Sequence, residues 1–117
     1  ALTDPSALGT QATRIIADAE QRLVVSAATA WEISTKQRLG RLPQADGIVS
    51  TYTRNVQRLG ASELPMTAEH ALLAGRLDWD HRDHFDRMLA AQAMTESLTL
   101  ITKHAAFASL PGLRTLW

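Results

Sequence analysis

A short, largely apolar run from Leu23 to Ala27, flanked by charged residues, constrains the fold more than any other feature of the sequence. It lacks the alternation of polar and apolar residues found in a strand with one solvent-exposed face, so it is typical of a strand buried on both faces of a parallel sheet. Parallel neighbours need crossover connections, which are usually helices. The run therefore predicts βαβ units rather than hairpins.

Apolar residues at helical spacing fill most of the remaining chain. They predict the following helices: Ser6 to Gln21, Thr29 to Leu39 with Gly40 closing it, about Gln44 to Leu59, and a short helix capped by Thr67. We expect His70, in that short helix, to lie on the surface. Strand-like runs follow at Leu98 to Thr102 and Leu113 to Trp117. This alternation predicts one domain over residues 1–117, an α/β/α sandwich around a small parallel sheet.

Composition narrows the class of protein. The 117 residues suffice for one core, and the absence of Cys excludes disulfides and zinc–thiolate sites. Twelve basic and twelve acidic residues give a formal net charge of zero, so bulk charge does not point to nucleic acid. No apolar run approaches the roughly 18 residues of a membrane span, and the first residues lack a signal peptide's features. We therefore expect a cytoplasmic protein.

The stretch from His81 to Ala93 begins as a dense polar cluster and turns at once into an apolar run of good helix formers. Asp83 is suited to cap this helix, and Asp86 lies in its first turn, where the helix dipole favours acids. The strand predicted at Leu98 to Thr102 follows. A helix that leads into a strand with polar groups at its end is the layout of an α/β active site.

Several polar residues have two interpretations. Glu32 is either a surface acid paired with Lys36, four residues on, or a group over the carboxyl edge of the sheet. His81 and His84 suggest a zinc site, but such residues at a helix start are more often exposed. Lys36 and Arg87 either contact phosphate groups of a bound ligand or belong to an ordinary solvated surface.

Several of these segments together resemble the VapC-type PIN-domain ribonuclease toxins. The matching segments, in the order of that family, are Trp31-Glu32-Ile33 with Lys36, Leu39 to Leu42, His81 to Ala93, and Leu100-Ile101-Thr102. The resemblance implies a small parallel α/β sandwich that cuts RNA with Mg²⁺ or Mn²⁺. It also implies a cognate antitoxin that crosses the metal groove, and a homodimer. Trp31 and Trp79 are candidates for that apolar interface, although burial in the core is the expected place for a Trp.

Site residues follow from the same resemblance. Glu32 and Asp86 match two of the family's four acidic positions and are expected to bind the metal, whereas Asp83 is expected to cap the helix rather than to act as a ligand. Lys36, Arg87 and Thr102 are expected to bind substrate. Carboxylates suit this chemistry because Mg²⁺ is a hard ion held by one or two of them together with phosphate oxygens.

The sequence departs from the family in two places. The family begins with a central strand that ends in an Asp, whereas Ala1 to Asp4 resembles the segment after that strand. We therefore expect either that an N-terminal piece is missing or that something replaces it, because neighbouring strands would otherwise lack partners. We do not assign the missing ligand to Asp4.

The second departure is His104, a candidate catalytic residue at a position where the family has an acid. It could change the metal, act as a proton shuttle or mark a lost activity. Two hypotheses result. One is a metal-dependent endoribonuclease toxin, with activity possibly impaired in this chain; the other is a degenerate, inactive PIN-like domain that binds RNA or an antitoxin.

Overall fold

A computed structural model describes residues 2–3, 10–18, 22–41 and 45–117 of the chain. Within these ranges the strands are β1 (Leu2–Thr3), β2 (Val24–Ser26), β3 (Ser62–Leu64), β4 (Leu100–Ile101) and β5 (Thr115–Leu116). The helices are α1 (Thr10–Ala17), α2 (Ala27–Arg38), α3 (Ala45–Arg58), α4 (Ala68–Arg76) and α5 (His84–Thr95), and a 3₁₀ turn spans Ala105–Ser109. Among the described residues, no helix is both long and apolar enough to cross a membrane.

The strands form one sheet in the order β3-β2-β1-β4-β5, and every neighbouring pair is parallel. The prediction of a small parallel sheet with helical crossovers is confirmed. Residues Leu23 to Ser26 are fully buried, as expected for a strand covered on both faces. All carboxyl ends of the strands point to one edge of the sheet, which is where ligands collect in such folds.

The central place in the sheet is taken by β1. Leu2 pairs with both Val24 and Leu100, and Thr3 pairs with Ile101. We expected these residues to match a segment beyond the family's first strand, with an N-terminal piece missing or something else replacing it. In the structure they fill that place themselves, because β2 and β4 would otherwise face each other with unpaired backbone groups. Asp4 and the predicted cap Ser6 lie outside the described residues.

The chain passes directly from β2 into α2, because Ser26 ends the strand and caps the helix. Its side chain accepts a hydrogen bond from the Ala28 amide at 3.0 Å, so the helix begins two residues before the predicted Thr29. The Ser26 hydroxyl also donates to Gln92 Oε1, which ties β2 to α5 inside the core. At the other end, Gly40 has the positive φ of 69° that its predicted closing position requires.

Helix α4 begins at its predicted cap, Thr67, but the prediction of a surface position for His70 is wrong. His70 is only 2% exposed. Its Nδ1 accepts from the Thr67 amide at 3.1 Å, while Thr67 Oγ1 accepts from the His70 amide at 3.2 Å. The imidazole therefore takes the reciprocal role that Glu or Gln usually has in a capping box.

The main core lies between α5, the sheet and the 3₁₀ turn. Its buried members are Val24, Leu89, Ala90, Ala93, Leu100, Phe107 and Leu110. Small alanines allow α5 to lie close to the sheet, as the packing of a helix on a buried strand requires. This packing fixes the N-terminal end of α5, with its acidic residues, beside the start of α2.

Candidate active site

Three carboxylates from two helices meet in one cluster. Glu32 comes from α2, and Asp83 and Asp86 come from the beginning of α5; one oxygen of each lies within 4.8 Å of the others. Asp86 is buried, Glu32 is half-buried and Asp83 is exposed. Carboxylates this close repel one another unless a cation lies between them. The structure thus brings together the two residues, Glu32 and Asp86, that were predicted to bind metal.

Asp83 has two places in this arrangement. Its Oδ1 accepts a hydrogen bond from the Asp86 amide at 3.0 Å, which confirms the predicted N-cap of α5. One of its oxygens also lies in the carboxylate cluster, and the expectation that Asp83 caps the helix rather than binding the metal stays a prediction. The cap fixes the first turn of α5 and thereby the direction in which Asp86 points.

A histidine holds the buried carboxylate of Asp86. His81 Nε2 lies 2.6 Å from Asp86 Oδ2, within hydrogen-bonding distance. The expectation that His81 and His84 would both be exposed is wrong for His81, which is half-buried, and correct for His84. Sequence spacing gave no sign of this contact, because it depends on the loop before α5 folding back over the helix start.

His104 approaches the same oxygen from the end of β4. Its Nδ1 lies 3.9 Å from Asp86 Oδ2. The turn is set by Thr102, whose Oγ1 accepts from the His104 amide at 3.1 Å. Thr102 is itself 5% exposed, so the structure gives it a role in the turn rather than the exposed position expected of a substrate-binding residue.

Lys36 lies at the solvent side of the cluster. Its Nζ is 3.6 Å from Glu32 Oε2, and nearly half of the side chain is exposed. The two interpretations of Glu32 therefore hold together: it pairs with Lys36 and also faces the other carboxylates. An exposed ion pair of this kind contributes little to stability, so Lys36 can exchange partners at small cost.

Arg87 is bound to the protein backbone. Its Nε donates to Ala74 O at 2.9 Å, Nη1 donates to Trp79 O at 2.8 Å and His81 O at 3.0 Å, and Nη2 donates to Leu77 O at 2.8 Å. A guanidinium has five N–H groups, and four of them are used here. The prediction that Arg87 binds substrate is therefore not supported. Its position indicates that it holds the segment carrying His81 against α5.

An open groove is lined by residues of α2, α4, α5 and the segment before α5, some of them next in sequence to the three carboxylates. It measures about 530 Å³, and its lining includes Trp31, Ala71, Arg82, His84 and Met88. Trp31 is 54% exposed and meets Phe85 edge to face, with ring centroids 4.7 Å apart. The expectation of a core position is wrong for Trp31, because its position on α2 faces the groove.

Trp79 packs against the core instead. It is half-buried, and its ring lies 5.6 Å from that of Phe107. Its indole nitrogen donates to Ser109 Oγ at 3.1 Å. For Trp79 the expected association with the core is correct, and Trp31 remains the aromatic candidate for an interface.

The donor set of the cluster fits a divalent cation. Glu32, Asp83 and Asp86 offer oxygen ligands, which Mg²⁺ and Mn²⁺ prefer. The imidazole of His104 lies near Asp86 but is not one of the clustered groups among the described residues. The cluster stands at the carboxyl edge of a parallel sheet, between two helix starts.

Comparison with known proteins identifies related sequences and folds. The sequence profile of the PIN domain matches residues 1–113. Ribonuclease VapC16 of Mycobacterium tuberculosis (strain ATCC 25618 / H37Rv) is 37% identical over 62 residues, which cover 53% of this chain and 43% of that protein. The matched region thus spans less than half the length of that relative.

Two solved structures share the fold. VapBC2 from Rickettsia felis, bound to a DNA fragment from its promoter, aligns with a TM-score of 0.62 and 16% identity over 83% of this chain and 75% of that one. A toxin–antitoxin complex from Klebsiella pneumoniae aligns with a TM-score of 0.61 and 18% identity over 100% and 96%. Since the family profile covers nearly the whole sequence, the chain belongs to the PIN domain family.

Proposed function

We propose that this protein is a divalent-metal-dependent endoribonuclease, the toxin of a toxin–antitoxin pair, which hydrolyses phosphodiester bonds in RNA. The observation that carries the proposal is the cluster formed by Glu32, Asp83 and Asp86 at the edge of the sheet. The similarity to a protein named as a ribonuclease supports the choice of reaction. Carboxylates so arranged serve phosphoryl chemistry by holding a cation against the phosphate.

The carboxylates of Glu32 and Asp86 would hold the Mg²⁺ or Mn²⁺ ion, with Asp83 beside them. When bound, such an ion supplies a water of lowered pKa and neutralises charge on the leaving oxygen. The hydrogen bond from His81 fixes the rotamer of Asp86, and the Asp83 cap fixes the backbone beneath it. Both contacts reduce the reorganisation needed when substrate arrives.

Lys36 is the proposed contact to an RNA phosphate. Its ammonium already lies at the edge of the cluster, 3.6 Å from Glu32, and it is open to solvent. Phosphate contacts of this type supply affinity without sequence preference and weaken as salt rises. We assign no substrate contact to Arg87 or Thr102, because the first is bound to backbone and the second is buried.

The test is RNA cleavage by purified wild-type protein and by Asp86→Asn and Glu32→Gln, with Mg²⁺ or Mn²⁺ and with a chelator. We expect each substitution to lower the rate by about 100-fold or more, since removing even a residue that only hydrogen-bonds to a metal ligand costs roughly 10- to 100-fold. Glu63→Gln is the matched control, because Glu63 is an exposed acid on β3. Wild-type rates in Asp86→Asn, with an unchanged melting temperature, would contradict the proposal.

The proposed partner is an antitoxin that occupies the open groove lined by α2, α4 and α5. Its apolar floor includes Trp31 and Met88, and Arg82 contributes positive charge at one side. Such a surface suits a segment with apolar and acidic side chains. Among the solved structures that share this fold, one is VapBC2 from Rickettsia felis and another is a toxin–antitoxin complex from Klebsiella pneumoniae, which supports the choice. Homodimerisation is proposed from the family resemblance alone, and a cytoplasmic location is proposed from the sequence features described above.

A second candidate is a PIN-like domain that binds RNA or an antitoxin without cutting RNA. His104 favours it, because an imidazole lies beside Asp86 where the family has an acid. The cleavage assay separates the two candidates when it is paired with an RNA-binding measurement. Binding without metal-dependent cleavage by the wild-type chain would support the second.

A further inference from the structure

We infer that the open groove lined by α2, α4 and α5 takes a base of single-stranded RNA, which stacks on the indole ring of Trp31. The inference rests on the proposed function in one respect, namely that the substrate is RNA. It goes beyond that function by assigning a residue that holds a nucleobase, and by assigning Arg82 to an adjoining phosphate.

Trp31 presents an aromatic face to solvent in the wall of this groove. Its side chain is 54% exposed, although Trp is highly buried on average. Phe85 meets the ring edge to face at a centroid distance of 4.7 Å, which holds the indole in one orientation. In this arrangement Phe85 covers at most one face of the indole, so a face stays open to a stacking partner.

Small residues of α4 line the same groove and keep it wide. They are Ala71, Ala74 and Gly75, and a Cβ on Gly75 would meet no atom within 4 Å. The groove measures about 530 Å³, within the range of roughly 300–1,000 Å³ found for pockets that bury small organic ligands. A nucleobase, with apolar faces and polar edges, suits such a space.

The charged residues of the lining favour a polyanion. They are Arg82, His84 and Arg87, and no Asp or Glu joins them among the described residues. Arg87 is bound to backbone carbonyls, whereas Arg82 is exposed. Proteins that bind single-stranded nucleic acid combine cationic side chains for the backbone with aromatic side chains for the bases. Arg82 and Trp31 supply these two parts.

The groove is joined to the carboxylate cluster through the chain itself. Trp31 precedes Glu32 on α2, and Arg82 and His84 flank Asp83. Consecutive Cα atoms are about 3.8 Å apart, and successive helical side chains are turned by about 100°. The stacking face and the carboxylate of α2 therefore lie on neighbouring faces of the helix. A strand with one phosphate at the cluster can place an adjoining base on Trp31, and an antitoxin in the same groove would exclude that base.

The experiment measures RNA binding without cleavage. Chelator-treated protein is titrated with a fluorescein-labelled, single-stranded oligouridylate of about ten nucleotides, and with an abasic ribose-phosphate oligomer of the same length. Both probes carry the same backbone charge, so the ratio of their Kd values reports the contribution of the bases. We expect wild type to bind the oligouridylate about tenfold more tightly, as stacking on an aromatic side chain does.

Two substitutions remove the base site in different ways. Trp31→Ala removes the stacking face, and Gly75→Leu fills the groove from a position where an added side chain has room. Each should reduce the Kd ratio to about twofold or less, whereas Trp31→Phe restores an aromatic face and should retain most of it. The matched control is Gly47→Leu, the same change at an exposed glycine of α3 that also has open space and lies outside the lining.

The assignment of Arg82 has its own signature. Arg82→Gln should weaken both probes by the same factor and lower the slope of log Kd against log salt concentration by about one, because a phosphate contact carries no base information. The Kd ratio should stay at its wild-type value.

Two outcomes would overturn the inference: a Kd ratio near one for wild type, or a wild-type ratio in both Trp31→Ala and Gly75→Leu, which would leave the groove to an antitoxin. The proposed function is judged separately by cleavage. Metal-dependent cleavage with an unchanged ratio in these variants supports the nuclease and contradicts the base site. A base-dependent ratio without cleavage supports the base site and favours the second candidate function.

Discussion

The guanidinium of Arg87 joins α5 to the segment that precedes it, and its removal gives a sharp test of how the site is held. Four hydrogen bonds of 2.8–3.0 Å run from this side chain to backbone carbonyls between Ala74 and His81. That segment carries His81, the partner of Asp86. Stability and site geometry therefore depend on the same contacts.

The size of the effect follows from these bonds. A hydrogen bond to a charged group contributes about 1.5–3 kcal/mol, but carbonyls near the surface regain water when the partner is removed. We therefore expect Arg87→Ala to lower the free energy of unfolding by about 3–5 kcal/mol, well below the simple sum. In Arg87→Lys the ammonium keeps the charge but can hydrogen-bond to fewer of the carbonyls, so the free energy of unfolding should fall by about 2 kcal/mol.

Urea denaturation followed by far-UV circular dichroism measures these differences. The control is Arg54→Ala, because Arg54 is exposed on α3 and has no hydrogen bond or ion pair recorded among the described residues; its change should stay within about 0.5 kcal/mol. A loss below about 1 kcal/mol in Arg87→Ala would refute the reasoning, since the four bonds would then be energetically replaced by water.

Three further predictions concern single side chains. Burial, with a smaller contribution from Glu63, raises the pKa of Tyr52 above its ordinary value of 10.0, so the protonated tyrosine favours the folded state. The resulting stabilisation of the folded state is present below pH 10 and is lost as the pH rises through the raised pKa of Tyr52. The free energy of unfolding of Tyr52→Phe should therefore fall less steeply at alkaline pH than that of the wild type. His70→Ala should lower the free energy of unfolding by about 1–3 kcal/mol, measured by urea denaturation, because it removes the buried acceptor of the Thr67 amide hydrogen bond. His84 is exposed, so the control His84→Ala should lower it by under about 0.5 kcal/mol. His81→Asn should lower metal affinity by about tenfold in calorimetry while leaving the fold intact by circular dichroism, because it removes the hydrogen bond that orients Asp86.

Local patterns in the sequence were enough to predict the parallel sheet and most helices. The apolar run before Ser26 and the caps at Thr67 and Asp83 are decided by residues close in sequence, so periodicity and capping chemistry identify them. Local patterns alone could not predict that Glu32 and Asp86 lie close together. Their proximity was predicted from the family resemblance, because two helix starts 54 residues apart in sequence carry no mutual signal of their own.

Residues whose partners come from elsewhere in the fold were predicted poorly. Arg87 binds carbonyls of a loop that folds back on α5, and backbone acceptors leave no trace in side-chain identity. His70 occupies a capping position normally held by Glu or Gln, so a polar residue at a helix start was wrongly expected to be exposed. The contact of His81 with Asp86 was missed because it depends on the loop before α5 folding back over the helix start.

The most direct test of the account compares Mn²⁺ binding and RNA cleavage in one titration. Chelator-treated wild-type protein is titrated with Mn²⁺ while bound ion is followed by electron paramagnetic resonance and cleavage by product formation, with Asp86→Asn in parallel. We predict that the two wild-type curves rise together and that both are lost in Asp86→Asn. Cleavage without bound ion, or binding and cleavage that survive in Asp86→Asn, would contradict the claim that this carboxylate cluster is the catalytic metal site.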